Sequence, residues 1–551
     1  MRVLFLSAVL CVCLQLSASA SATGVEVDPA KTGAECLTPR ASSRPHLRVT
    51  AWELHDRTDG VGELVQKREW LLLNGTGDFE LTCNVVDVQD VLAGRGTVYL
   101  RLAALPGSRN WEGPDFKVMP SSPEGVEVFD RPCRTLKIPY EGGDIGRRAA
   151  LMAAQRELRP FVPGRDGLFL SNTWGDRNRD ARLCEPFMMK EIDAAAKLGV
   201  DVVQIDDGWQ KGRSANSAAL AKGENGRWGD WWSVDGFWDV DPVRFPNGLE
   251  PVVAAARAKG MRFGLWFGPD SSDDAVNWKK DADFLLSLYR GLGIEYFKLD
   301  SMKTQSPLAL SRQSMLMDRL MDESGDRITI DLDVTAGRRP GYFAFPRIGP
   351  VFVENRYIRR NERRLWWPHR TLRNFWSLAH VVDPARLRME VLNPARMPEL
   401  YLKDDPLAPM RWPRDAIFAI SMFSSPLGWF EIQNLSPETI ESWKPLIARW
   451  KQERDSVHEG YVYPVGAAPD GLSWTGFVSA SRDGKEGTVL LFRELDARVE
   501  YSFALSDYIP SGCGDAVVIG GHGEATLKDG VLHVMVSEKL GFIWVKILAG
   551  P

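Results

Sequence analysis

Short apolar runs rich in Val, Leu, Thr and aromatics fill the chain from about His46 to Asp130: HLRVTAWEL, EWLLL, FELTCNVVDV and TVYLRLAAL, separated by polar and turn-forming Gly, Pro, Asn and Asp. Short β-favouring runs bounded by turn residues are the signature of strands, so this region predicts an antiparallel β domain, a sandwich. Beyond Gly164 the pattern changes to short apolar runs alternating with stretches of helical period, which is how a parallel sheet with crossover helices reads. Eight strands are predicted, at 167–174, 201–207, 261–267, 294–300, 328–334, 350–357, 387–392 and 426–431. Helices fit between most of them, for example at 185–198, 249–259 and 306–323. A last helix opens at Ser436-Pro437-Glu438, with a capping residue, a proline in the first turn and early acidic charge. After Ser456 the helical period stops, and YVYPV, GTVLLFREL, AVVIGG, VLHVMV and FIWVKIL predict a small all-β domain. The expected fold is α/β: a central (β/α)8 TIM barrel flanked by an N-terminal β-sandwich domain and a small C-terminal all-β domain. The expected division is a leader at 1–22, the sandwich at 23–150, the barrel at 151–455 and the last domain at 456–551.

In such barrels chemistry sits at the carboxyl ends of the strands and on the loops that follow. Strand two ends in Asp206-Asp207, strand four in Lys298-Leu299-Asp300, strand five in Asp331-Leu332-Asp333 and strand six in Glu354-Asn355-Arg356. An unpaired carboxylate is costly to bury, so acids repeated at the last positions of apolar runs point to a site rather than to chance. Lys298 lies two residues before Asp300 and shares its side of the strand. Its charge keeps Asp300 ionised, as a nucleophile requires. The plainer alternatives are a solvated loop at Asp206-Asp207 and a structural ion pair inside the barrel at Lys298 and Asp300.

Composition narrows the reading further. A chain of 551 residues is too long for one core and expects two or three domains. Net charge is -5, from 68 basic and 73 acidic residues, and no block of like charge reads as a basic arm, so nucleic acid is not an expected partner. Tryptophan is frequent at 20 residues, eight of them between Trp174 and Trp278. Indoles stack on sugar rings but also fill cores. Met1-Arg2, the apolar run Val3 to Leu16 and small residues through Ala22 have the layout of a secretory leader cleaved after Ala20 or Ala22, which predicts a secreted or periplasmic protein. That run is shorter than the ~20 residues of a membrane span, and no membrane span is expected. Outside the leader, Cys36, Cys83, Cys133, Cys184 and Cys513 are odd in number and lack CxxC spacing, which argues against a zinc site and a disulfide framework, with room for one N-terminal bridge. The seven histidines show no HExxH spacing, so no metal is expected. His369, beside Trp366 and Trp367, lines the site or packs, and Asn74-Gly75-Thr76 is a glycosylation sequon.

The segments QIDDGWQ, GLWFGPD and EYFKLD resemble the α-galactosidase clan of glycoside hydrolases, in particular its multidomain melibiase and raffinose-synthase-like branch, over roughly Gly167 to Tyr357. The resemblance implies that Asp300 is the nucleophile, that Lys298, Asp206 and Asp207 hold the sugar, and that Trp209, Trp174 and Trp266 form walls. Asp333 and Arg356 join them as expected substrate-binding residues. Two departures stand out. Members of the clan follow strand five with a cysteine and a glycine-rich turn, where this chain has Asp333-Val334-Thr335-Ala336-Gly337. They carry an acid/base aspartate on a W-T-S-D-like strand six, where this chain has Glu354 in VFVENRY. Glu354 is therefore the expected acid/base, with Asp333 and Asp405 as competitors. The expected activity is retaining hydrolysis of terminal α-glycosidic bonds in a carbohydrate substrate by double displacement, without a cofactor. Two other classes fit the same residues: a barrel that binds glycans without cleaving them, and a magnesium-dependent lyase or isomerase ligated by Asp206, Asp300 and Asp333. Oligomeric state is left open.

Overall fold

The computed structural model describes residues 25–26 and 47–550, except 56–62, 74, 112, 121–124, 130–132, 177–178, 335–338, 354–358, 361–362 and 511–512. At 25–26, 359–360, 363–364 and 513 it describes the backbone alone. The leader at 1–22 and the expected site residues Glu354 and Arg356 lie outside the described residues, as do Cys36 and Asn74.

Eight parallel strands close into a barrel: Leu170–Asn172, Val202–Ile205, Arg262–Phe267, Tyr296–Leu299, Thr329–Asp333, Val351–Val353, Leu387–Val391 and Ser425–Trp429. The last pairs with the first, Leu170 opposite Leu427. All eight expected strands are present, and the described bounds of each are shorter than the predicted run. The helices between them follow the apolar period closely, with Glu185–Leu198, Glu250–Ala258 and Pro307–Ser324 burying one face each. Pro307–Ser324 is capped by Ser306, whose Oγ accepts from Ala309 N–H at 3.0 Å, and Pro437–Glu459 by Ser436, whose Oγ accepts from Thr439 N–H at 3.2 Å.

The N-terminal strands form a six-stranded sheet in the order 25–26, 134–140, 95–102, 85–90, 47–54, 65–71, with a three-stranded sheet of 79–81, 116–118 and 126–128 beside it. Alternation explains how both faces are used. Leu47, Val49 and Ala51 pack with Phe116 and Val118 of the small sheet, while Trp52, Leu54, Val98 and Leu100 join the core that runs into the barrel. The C-terminal domain places a five-stranded sheet (461–466, 474–480, 487–493, 541–549, 513–521) with a three-stranded one (500–504, 531–535, 524–528). Cys83, Cys133 and Cys184 are free thiols. Among the described residues no helix is long and apolar enough to cross a membrane.

One contact between domains bears on the site. Leu105 N–H donates to Pro340 O at 3.2 Å, and Tyr342 Oη donates to His55 O at 3.0 Å. Gly341, at φ +82°, lies so close to Leu105 that a Cβ would meet its side chain at 2.3 Å. The N-terminal domain thus braces the loop that follows strand five.

Candidate active site

The barrel interior is polar in layers. In the lower one, Arg388 Nε donates to Asp331 Oδ1 at 2.5 Å and Gln204 Nε2 to Asp331 Oδ2 at 3.5 Å, while Asn172 Nδ2 donates to Gln204 Oε1 at 2.7 Å. Burial raises the Asp331 carboxyl above its ordinary value against the pull of Arg388. This aspartate is structural.

One layer up, toward the carboxyl ends, Lys298 Nζ donates to Asp206 Oδ2 at 2.9 Å and stands 3.9 Å from Asp333 Oδ2. Its ammonium lies over the rings of Phe352 and Trp429, 4.6 and 4.7 Å from their centroids. Desolvation disfavours this buried cation, but the charges of Asp206, Asp333 and Asp300 outweigh it and hold Lys298 protonated above its ordinary range. Asp206 also accepts from Asn172 Nδ2 at 2.8 Å. Three strands are thereby locked in register around one ammonium.

Asp300 lies above Lys298, 8% exposed. Its Oδ1 accepts from Arg339 Nη2 at 2.5 Å and from Ser301 N–H at 2.6 Å, and its Oδ2 from Trp266 Nε1 at 3.2 Å. Burial pushes its pKa up, yet Arg339 and then Lys298 overcome burial, and the carboxyl is held below its ordinary value of 3.8. Ser301 has φ +60°, a left-handed conformation that residues other than glycine adopt sparingly. An ionised carboxylate fixed by three donors at the mouth of a barrel is poised for attack rather than proton donation.

Two expected sugar contacts lie apart from the Lys298 layer. Asp207, 3% exposed, turns away from Asp206 and accepts from Gln210 Nε2 at 2.7 Å on Oδ1 and from the Ser214 hydroxyl on Oδ2. Burial raises its pKa to about 7, and its role is to hold the loop after strand two. Trp209 is fully buried: its Nε1 donates to Trp266 O at 2.9 Å, and its ring stacks on Trp238 and Phe284. It is a core residue beneath the site, part of a cluster with Trp231, Trp238 and Phe267 that absorbs much of the tryptophan count. Trp266 is equally buried and reaches the site only through its indole N–H. Trp174 is half-buried at the end of strand one and is the expected wall residue that retains accessible surface.

Of the other candidates, Asp333 faces the site, whereas Asp405 accepts from Trp367 Nε1 at 2.7 Å and Leu407 N–H at 2.9 Å within the loop after strand seven. His369 Nδ1 is 2.6 Å from Glu494 Oε1, a packing contact to the C-terminal domain. Sequence reasoning missed Arg339 and Asn172. Asn172 was visible by the rule applied to the other strands, since it ends strand one. Arg339 sits six residues past the end of strand five, and only the folded loop puts it on Asp300. A cleft of about 480 Å³ lined by Arg257, Arg262, Glu295 and Arg327 opens at the amino ends of strands three and four, the opposite face. Among the described residues no group of three or more His, Cys, Asp or Glu is arranged to hold a metal ion.

Residues 169–293 match the Melibiase family model. An α-galactosidase of Escherichia coli is 36% identical over 103 residues, 18% of this chain and 12% of that protein. α-Galactosidase 2 of Pediococcus pentosaceus is 36% identical over 99 residues, 18% of this chain and 11% of that protein. The aligned stretch is thus a small part of each relative. The fold extends further: the GH36 α-galactosidase AgaA of Geobacillus stearothermophilus superposes with a TM-score of 0.61 at 15% identity, covering 93% of this chain and 76% of that one. Variants of AgaA have been solved with stachyose and with raffinose.

Proposed function

With a barrel of the α-galactosidase clan as the starting point, we propose that this protein is a retaining glycoside hydrolase that cleaves terminal α-glycosidic bonds of oligo- or polysaccharides. The observation that carries the proposal is Asp300, ionised and aimed by Arg339, Trp266 and the Ser301 N–H at the carboxyl end of strand four. The reading has Asp300 attack the anomeric carbon while Glu354 donates a proton to the departing oxygen, which leaves a covalent glycosyl-enzyme. Glu354 then takes a proton from water as that water attacks the same carbon, releasing the sugar with its configuration retained and Asp300 free. Lys298, Asp206 and Asp333 supply the polar floor on which the sugar hydroxyls rest. The sequence position of Glu354 directly after strand six supports this assignment, because strand six is two places from strand four around the barrel and inward-leaning side chains span that gap.

The test is Asp300→Ala on an aryl α-galactoside. Turnover is expected to vanish with the fold intact, and added azide to restore part of it while yielding a β-glycosyl azide. Hydrolysis by the variant at the wild-type rate would overturn the assignment. Export belongs to the same proposal: mass spectrometry of protein from the native host is expected to find an N-terminus at residue 21 or 23, and an intact Met1 would refute it.

A further inference from the structure

On the face of the barrel opposite Asp300, the cleft of about 480 Å³ opens among the last turns of helices Glu250–Ala258 and Trp278–Leu292, the residues just past Pro307–Ser324, and the amino ends of strands three and four. Its size falls within the roughly 300–1,000 Å³ of small-molecule sites. Met261 and Phe263 are buried and give it an apolar floor, and half-buried Tyr289 forms a wall. The rim is basic: Arg257, Arg262, Arg290 and Arg327 stand against Glu295, in a protein whose formal net charge is -5. Two of these arginines are neutralised. Arg262 Nη1 donates to Glu295 Oε2 at 3.3 Å, and Arg290 Nη2 to Glu323 Oε2 at 2.5 Å. Arg257 and Arg327 have no carboxylate at ion-pair distance among the described residues.

Helix ends explain how these two guanidiniums are anchored, but they leave most of the donors unused. Arg257 Nη2 donates to Leu292 O at 2.5 Å and to Gly293 O at 3.2 Å, and Arg327 Nε donates to Ser324 O at 3.2 Å. Each thus satisfies carbonyls left over at the last turn of a helix. The Arg327 guanidinium also lies 5.5 Å from the centroid of the Tyr289 ring. Arg257 Nη1 and both Nη atoms of Arg327 have no protein acceptor among the described residues. Two like charges at the rim of one cleft repel each other, and an anion between them removes that repulsion. Guanidinium N–H pairs match the oxygens of carboxylate, sulfate and phosphate groups. Because both side chains are already anchored, little ordering is left to offset the binding. The apolar floor and the Tyr289 ring suit the carbon face of a sugar-sized molecule that bears such a group.

We propose that this cleft is a second binding site, apart from the catalytic mouth, for a small oxyanion: a carboxylate, sulfate or phosphate group, free or borne on a sugar-sized molecule, held between Arg257 and Arg327. The site lies at the other end of the barrel from Asp300 and does not depend on the glycosidase reading. The experiment is calorimetry on the full chain with galacturonate, galactose 6-sulfate and galactose 6-phosphate, with inorganic sulfate and phosphate as the free ions, and with neutral galactose as the control. At least one anion is expected to bind the wild type, more weakly as salt rises. Arg257→Gln combined with Arg327→Gln should weaken that binding by about 10-fold or more, the size of one charge-assisted contact, and leave galactose binding and aryl α-galactoside hydrolysis as they are. If the double variant does not fold, Arg327→Gln alone, which alters an exposed side chain, should lose part of the affinity. Glu295→Gln should act in the opposite sense and tighten binding, because it removes the carboxylate that lines the cleft and releases Arg262. The tightest anion names the group, and a free ion that binds as tightly as its sugar ester names the ion itself as the ligand. No anion binding to the wild type, or an affinity unchanged in the arginine variants, overturns the proposal.

Discussion

Replacing Arg339 by methionine should move the acid limb of the activity profile, because Arg339 is the nearest cation to Asp300. The guanidinium is 5% exposed and its Nη2 is 2.5 Å from Asp300 Oδ1. With charge centres about 4 Å apart and an effective dielectric of about 20, the attraction is about 4 kcal/mol, or about three pKa units at 1.36 kcal/mol each. The range found for an aspartate beside an arginine, about 1–3 units, brackets the expectation. The sign follows from the direction of the present shift. Asp300 is held below 3.8 chiefly by Arg339, so removing that charge raises its pKa and the carboxylate is protonated at higher pH. The measurement is kcat/KM on an aryl α-galactoside from pH 3 to 8 for wild type, Arg339→Met and Arg339→Lys, with melting temperatures as a check on folding. The acid limb of the methionine variant should move up by about 1–3 pH units, and the lysine variant should recover most of the difference. Loss of activity should be far larger near pH 4.5 than near pH 7, where Asp300 is ionised in both proteins. An acid limb unmoved in a folded Arg339→Met variant would refute the reasoning, since a merely structural arginine lowers activity without moving the profile.

Lys298→Met leaves Asp206 and Asp333 facing each other without their cation, and should destabilise the barrel by about 3–5 kcal/mol in urea unfolding; unchanged stability would show that the pairs are not coupled as the distances imply. Asp207→Asn tests the burial of that carboxyl. Its pKa rises from 3.8 to about 7 on folding, so the native state holds a proton the unfolded state releases, and the wild type loses stability as pH climbs through that interval. The asparagine variant lacks this loss, and its melting temperature relative to wild type should improve steadily between pH 4 and 7; a pH-independent difference would contradict the assignment. Trp209→Ala should cost about 3–5 kcal/mol of stability as a core truncation, and a variant as stable as wild type with only a raised KM would return Trp209 to the sugar site.

The barrel was legible because its strands and helices differ in period, and because each strand is buried on both faces. Apolar runs at 201–207, 261–267 and 294–300 located strands that the structure sets at Val202–Ile205, Arg262–Phe267 and Tyr296–Leu299. The proposed nucleophile was legible for a similar local reason: two residues along a strand return to the same side, so Lys298 and Asp300 had to share the interior. What adjacency alone could not resolve was Asp206 from Asp207. One step along a strand reverses direction, so only the first meets Lys298, while the second is consumed by Gln210 and Ser214. The tryptophans were ambiguous in the same way, since an indole suits a sugar face and a core equally, and packing against Trp238 and Phe284 decided Trp209. Arg339 had no local signature at all. Its place on Asp300 depends on a loop braced by Leu105 of another domain, a contact between residues more than two hundred positions apart, and such contacts are what tertiary structure adds to the pattern along the chain.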